Sequence, residues 1–318
     1  MHHVYLSTVL RKSKDKRATG YLYKLLWPKG TVVREIPIPA LTRTVDFWNS
    51  RGGNRGGRGI AIHNDHLYVA TAINIIQYDK SFRFVKEISN PKFCGLHELF
   101  IEDDGIWVTS TIHDLIIKVD FDGNTLFEWL GSESKLLQKT FKFGGRKLNL
   151  ELDFPEEEYA KRYGKYVKGE RLHLNTVQVF DGKVYAFSCS KRALIKIHPK
   201  PERIVMRDSS LVAPHNCFFI GKNRIIANNT RMQTINLYDK KGKRVKTIHT
   251  RVHTNKGRSF QFAKEGWQRG LTHMNGKKYL IGTSPVTVFQ VDISKGIIER
   301  VVPLSDDVRH CVHGLAYD

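Results

Sequence analysis

The 318-residue chain has only four cysteines, Cys94, Cys189, Cys217 and Cys311, and no CxxC pair among them. That number and spacing exclude a disulfide framework and read as buried thiols in a reducing compartment. No apolar run approaches the roughly 18–20 residues that a membrane span needs. The N-terminal Met1-His-His-Val-Tyr-Leu-Ser-Thr-Val-Leu10 lacks the basic stretch and the length of a secretory signal. The expectation is a soluble, cytoplasmic protein with no membrane partner. Acidic residues are scarce beside basic ones, 31 against 52, which leaves a net charge of +21. Such a charge draws nucleic acid, anionic lipid or acidic small molecules over long range. It arises equally from solvated strand edges, so charge alone selects no function. The 3.6-residue period of a helical solenoid is missing as well.

What is present is a repeat. Hydrophobic residues make up 41% of the chain, enough for a substantial core. An apolar segment meets a tight turn, then a β-rich segment, then a third strand that often ends in Asp. One copy runs Gly59-Ile-Ala-Ile-His63, an Asn64-Asp65 turn, Leu67-Tyr-Val-Ala-Thr71, Ile75-Ile-Gln-Tyr-Asp79 and Phe84-Val-Lys-Glu-Ile88. The next uses an Asp103-Asp104-Gly105 turn, Ile116-Ile-Lys-Val-Asp120 and Thr125-Leu-Phe-Glu-Trp129. Further copies open near His173, at Pro214-His215 and at Arg269. Four short alternating strands in about 40 residues match one blade of a β-propeller. The C-terminal Val312-His-Gly-Leu-Ala-Tyr-Asp318 is an opening strand without a blade, and residues 2–39 are a blade without its opening strand. Joining them gives a sixth blade and removes two sheet edges. The expectation is therefore an all-β, six-bladed propeller spanning residues 1–318 as one domain, closed between its N- and C-terminal strands.

Two stretches interrupt the repeat. Residues 132–171 form an insertion between blades two and three, where Asp153-Phe-Pro-Glu-Glu-Glu-Tyr-Ala-Lys-Arg-Tyr163 has the acids-early, bases-late pattern of a short helix. A smaller basic insertion covers about 250–267. Either reads as a lid on the channel mouth or as surface decoration.

Aligned on their apolar residues, the six blade openings bring Arg58, His97, His173, His215, Arg269 and His313 into one slot. The opening strand of each propeller blade lines the central channel, so these side chains are expected to converge on the axis. So many cation-capable groups in one volume need a compensating anion or metal. His97, His173 and His215, with His313 as a fourth ligand or as the general base, suit a divalent transition metal: Zn²⁺, Fe²⁺, Mn²⁺ or Cu²⁺. Arg58 and Arg269 can clamp a carboxylate, sulfate or phosphate of a small anionic substrate. Glu98, Asn175 and Asn216 follow the ring histidines and are candidates for orienting them or binding substrate. Hydrogen bonding of the same side chains to strand-start carbonyls is the structural alternative. His63, His66, His113, His198, His249, His253 and His310 are expected at the surface, and His273, four residues beyond Arg269 on the same inner strand, is a candidate for a deeper channel group.

In order, Gly95-Leu-His-Glu-Leu99, Leu172-His-Leu-Asn175, Ala213-Pro-His-Asn216 and Trp267-Gln-Arg-Gly-Leu271 resemble the HDL, HLN, PH and RGL blade-opening motifs of a bacterial six-bladed propeller family. The resemblance covers about residues 58–290. It departs at Glu98, where that pattern has Asp, and at Thr176, where it has Gly. It implies the fold and an axial site, and no reaction. In site logic the ring is also similar to peptidylglycine amidating lyase, with axial histidines and a metal, and to arylsulfate sulfotransferase, with axial histidines and arginine alone. Three functions remain open: a metal-dependent lyase, hydrolase or oxygenase; a metal-free sulfuryl or phosphoryl transferase with a histidine nucleophile; and a non-catalytic module that binds nucleic acid through Arg51-Gly-Gly-Asn-Arg-Gly-Gly-Arg-Gly59.

Overall fold

The computed structural model describes residues 2–13, 15–40, 56–145, 170–253, 259–260 and 263–318. Six four-stranded antiparallel sheets form the blades of a β-propeller, and a two-stranded ribbon, Ser259–Phe260 with Ala263–Lys264, lies between blades four and five. The inner strands are Ile60–His63, Leu96–Glu102, Leu174–Phe180, His215–Ile220, Arg269–His273 and His310–Tyr317 for blades one to six. The last of these pairs with His2–Leu10, so that the sixth blade has the order His310–Tyr317, His2–Leu10, Gly20–Trp27, Thr31–Ile38. The ring is closed as the repeat predicts.

The burial pattern explains the alternating sequence. Middle strands lie between two neighbouring blades and are buried on both faces, as in Leu115–Val119 and Thr287–Asp292. Outer strands such as Phe84–Ser89 and Arg244–His249 expose alternate side chains. Six apolar clusters fill the seams. One packs Ile75, Ile88, Leu96 and Leu115 between blades one and two, and another packs Val4, Leu25, Leu280 and Val288 between blades five and six. The turns follow from composition too. Asn64 and Asp65, like Asp181 and Gly182, have the paired positive φ angles of a type I′ hairpin. The aspartates ending the third strands close the next hairpin: Asp79 Oδ1 accepts from the amides of Ser81 and Arg83, and Asp120 and Asp239 repeat the pattern.

Within the first insertion, Ser134 caps a short helix, Lys135–Phe141, by accepting the Leu137 amide. The helix expected at 153–163 and most of the Arg-Gly segment, residues 51–55, lie outside the described residues. No described helix is long and apolar enough to cross a membrane. Cys94, Cys217 and Cys311 are buried and form no disulfide. His113 and His310 differ from expectation, since both are buried. His113 sits in a 3₁₀ turn whose three residues face inward, and His310 begins the closing strand under the Tyr21 and Tyr23 rings.

Candidate functional site at the propeller axis

His97 and His215 are each placed by a distortion at the start of an inner strand. In blade four the register slips between His215 and Cys217, leaving Asn216 as a bulge with φ 49°. In blade two it slips between Leu96 and Leu99, and both the His97 and Glu98 amides donate to Thr109 Oγ1, at 3.2 and 3.0 Å. His97 is thus part of the blade-two bulge and His215 directly precedes that of blade four. The ring centroid of His97 lies 5.1 Å from that of His173, 6.2 Å from His215 and 5.3 Å from His313. One ligand nitrogen each from His97, His173 and His215 lies within 4.8 Å of the other two.

Hydrogen bonds fix the protonation of these rings. His97 Nδ1 lies 3.1 Å from the Gly95 carbonyl and 3.0 Å from Thr111 Oγ1, and that hydroxyl itself donates to the Leu174 carbonyl at 2.5 Å. A carbonyl can only accept, so Nδ1 carries the proton and Nε2 the lone pair. His215 repeats the arrangement: Nδ1 meets Ala213 O at 3.0 Å and Thr230 Oγ1 at 3.1 Å, and Thr230 donates to Gln268 O at 2.8 Å. Its Nε2 is buried with no hydrogen-bond partner. Glu170 Oε1 stands 2.6 Å from His173 Nδ1, as an ion-pair contact rather than an aligned hydrogen bond.

The register in blade three departs from the expected slot. Leu99 pairs with Val108, Cys217 with Ala227 and Val177 with Ala186, so Asn175 and not His173 stands level with His97 and His215. His173 occupies the left-handed position, φ 51°, that Gly95 and Ala213 hold two residues ahead of their histidines. It joins the cluster from outside the strand. Asn175 spends its Nδ2 on the Pro214 carbonyl of the next blade, 2.9 Å away. Asp114 orders the approach to His173 by accepting the Arg171, Leu172 and His173 amides at 2.7, 2.9 and 3.2 Å.

Cations and a carboxyl group surround the imidazoles. Burial above all, then the Arg58 charge, pushes His97 well below the usual imidazole pKa; burial and then Arg269 do the same to His215. The rings are therefore neutral, as ligands or nucleophiles must be. Arg58 is buried and its Nη1 donates to the Leu96 carbonyl. Arg269 and Arg11 both lie over the Trp267 ring, at 5.6 and 4.8 Å. Glu98 accepts from Asn216 Nδ2 at 2.8 Å, linking blades two and four, and desolvation raises its carboxyl to about 8. A cleft of about 720 Å³ between blades four and five opens at the far ends of the inner strands, near Phe218 and Arg224, and contains none of the ring histidines.

Sequence reasoning missed Thr111, Thr230, Asp114, Glu170 and Arg11. The two threonines carried a signal, because each directly follows the second strand of its blade. Glu170 and Asp114 belong to the insertion and its anchor, where no repeat exists to read.

Three neighbouring imidazoles, of which His97 and His215 are neutral and His215 has a buried Nε2 left unpartnered, fit a divalent transition metal. Scans of the sequence against protein-family models and against curated proteins return no match. In fold the chain is similar to a protein in a nidogen/laminin complex (TM-score 0.60, 10% identity, covering 100% of this chain and 98% of that one). It is also similar to virginiamycin B lyase from Staphylococcus aureus (TM-score 0.51, 12% identity, 97% and 90%) and to a putative 6-phosphogluconolactonase from Bacteroides uniformis (TM-score 0.52, 11% identity, 97% and 84%). At these identities the likeness concerns the propeller alone.

Proposed function

We propose that this propeller is a metal-dependent enzyme, a lyase or hydrolase, that acts on a small anionic substrate at the axial histidines. The observation that carries the reading is the shared orientation of His97 and His215, each fixed with Nδ1 protonated and Nε2 left to coordinate beside His173. A metal held there would supply Lewis-acid polarisation of a substrate oxygen. His313, whose ring lies 5.3 Å from His97, is placed to accept or return a proton. Arg58 and Arg269, whose charges are felt at His97 and His215, hold the substrate anion. Asn216 steadies Glu98, which carries its proton at neutral pH beside the site. A lyase and a putative lactonase occur among proteins of this fold, which keeps both reaction classes in view.

The test is bound metal per chain by elemental mass spectrometry, on protein purified without a polyhistidine tag and beside a His97→Ala/His173→Ala variant. Near-stoichiometric metal that disappears in the variant is expected. No metal after reconstitution with Zn, Fe, Mn and Cu in turn would overturn the reading. A second reading rests on the unpartnered His215 Nε2 under the Arg269 charge: a metal-free sulfuryl or phosphoryl transferase using that nitrogen as nucleophile. It requires activity that survives chelation and a covalent histidine adduct in intact mass.

A further inference from the structure

A second built site lies outside the channel. A cleft of about 400 Å³ opens where the short helix Lys135–Phe141 meets blade three, and four cations line it: Lys142, Lys191, Arg192 and Arg207. Hydroxyls of Thr140, Ser190 and Ser209 complete the polar wall, and no carboxylate is among the lining residues. Three of the cations are held in place by neutral partners. Arg207 lies 5.0 Å over the Phe141 ring, and Lys191 sits 5.9 and 5.4 Å from the Phe141 and Phe143 rings. Arg192 Nη1 donates to the Ser209 carbonyl at 2.6 Å. Aromatic faces and a carbonyl order these groups without cancelling their charge. Asp208, next to Arg207 in sequence, is turned away: it accepts from Ser210 Oγ at 2.7 Å and Tyr238 Oη at 2.9 Å, and stands 3.4 Å from Arg244.

Lys142 and Arg207 are exposed and Lys191 and Arg192 half-buried, so the cleft is open to solvent, and an anionic ligand there relieves the crowding of four like charges. A phosphate monoester brings a charge of about −1.5 to −2 and each backbone phosphate of a polynucleotide about −1, so four cations accommodate at least two phosphoryl groups of either kind. Arginine forks and serine hydroxyls both suit phosphoryl oxygens. We infer that this cleft binds a ligand carrying two adjacent phosphoryl groups, whether a free diphosphate compound or consecutive phosphates of a polynucleotide.

Calorimetric titration of the full chain with inorganic pyrophosphate tests this. One pyrophosphate per chain is expected, bound more weakly by at least about tenfold in an Arg192→Gln/Arg207→Gln variant that keeps the wild-type melting temperature. The His97→Ala/His173→Ala variant should bind pyrophosphate as the wild type does, which separates this site from the axial one. Competition by a single-stranded oligonucleotide for the bound pyrophosphate would identify a polynucleotide as the source, and failure to compete a small diphosphate. Absence of pyrophosphate binding at low salt, binding unchanged in the arginine variant, or binding lost in the histidine variant would each overturn the inference.

Discussion

His97 and His215 are held by the repeat, whereas His173 is held by an insertion. In blades two and four the imidazole leans on the carbonyl two residues back and on a threonine that follows the second strand. In blade three that position is Cys189, which offers no comparable hydroxyl, and a carboxylate at the end of the insertion takes its place. Two of the three clustered histidine positions were thus available from the fold itself. The third depends on residues 170–173 returning to the blade under the control of Asp114. Where a repeat supplies the geometry, replacing one support leaves others; where an insertion supplies it, one residue carries the placement.

The largest effect that would break this comparison is expected from His215→Ala, which removes a repeat-held ligand outright and should abolish stoichiometric metal in elemental analysis. Asp114→Ala should come next. It strands three amides that the carboxylate now satisfies, costing about 3 kcal/mol of unfolding free energy in urea titration, and it frees His173. An imidazole outside the ring sharpens the contrast by its pH dependence. Burial lowers His310 to about 4, with Asp307 opposing. The unfolded chain therefore binds the extra proton between about 6.5 and 4, so this group's stabilisation is complete above about 6.5 and falls away as the pH drops. About 2 kcal/mol should be lost from this source by pH 5, and a His310→Gln variant should show a correspondingly shallower fall in urea midpoint between pH 7 and 5. Glu170→Gln should weaken metal affinity about 10- to 100-fold, read by competition with a chelating dye. Thr111→Val should weaken it less, by no more than about tenfold, because the Gly95 carbonyl still fixes the His97 tautomer. Equal losses in these last two variants would erase the distinction between repeat-held and insertion-held ligands.

The same division explains what could be read from the sequence. Six blades and their closure were legible because each blade repeats one pattern of alternation, turn and terminal aspartate. His97 and His215 were legible because they share a slot. His173 was found for a reason that does not hold, since Asn175 occupies its slot and His173 reaches the axis from two residues earlier. Bulges shift register without leaving a mark in composition, and a one-off contact such as Glu170 to His173 has no second copy to reveal it.

The hydroxyl of Thr111 takes part in two bonds at once, accepting from His97 and donating to the first strand of the neighbouring blade; Thr230 accepts from His215 and donates to the Gln268 carbonyl just ahead of the next blade's first strand. The atoms that aim the imidazoles are therefore also the stitches between blades two and three and between blades four and five. Linkage makes this reciprocal: a cation that favours the aimed imidazoles also favours closed seams. Loading the axis should then stiffen the circumference of the propeller, and slow hydrogen exchange at seams far from any ligand atom.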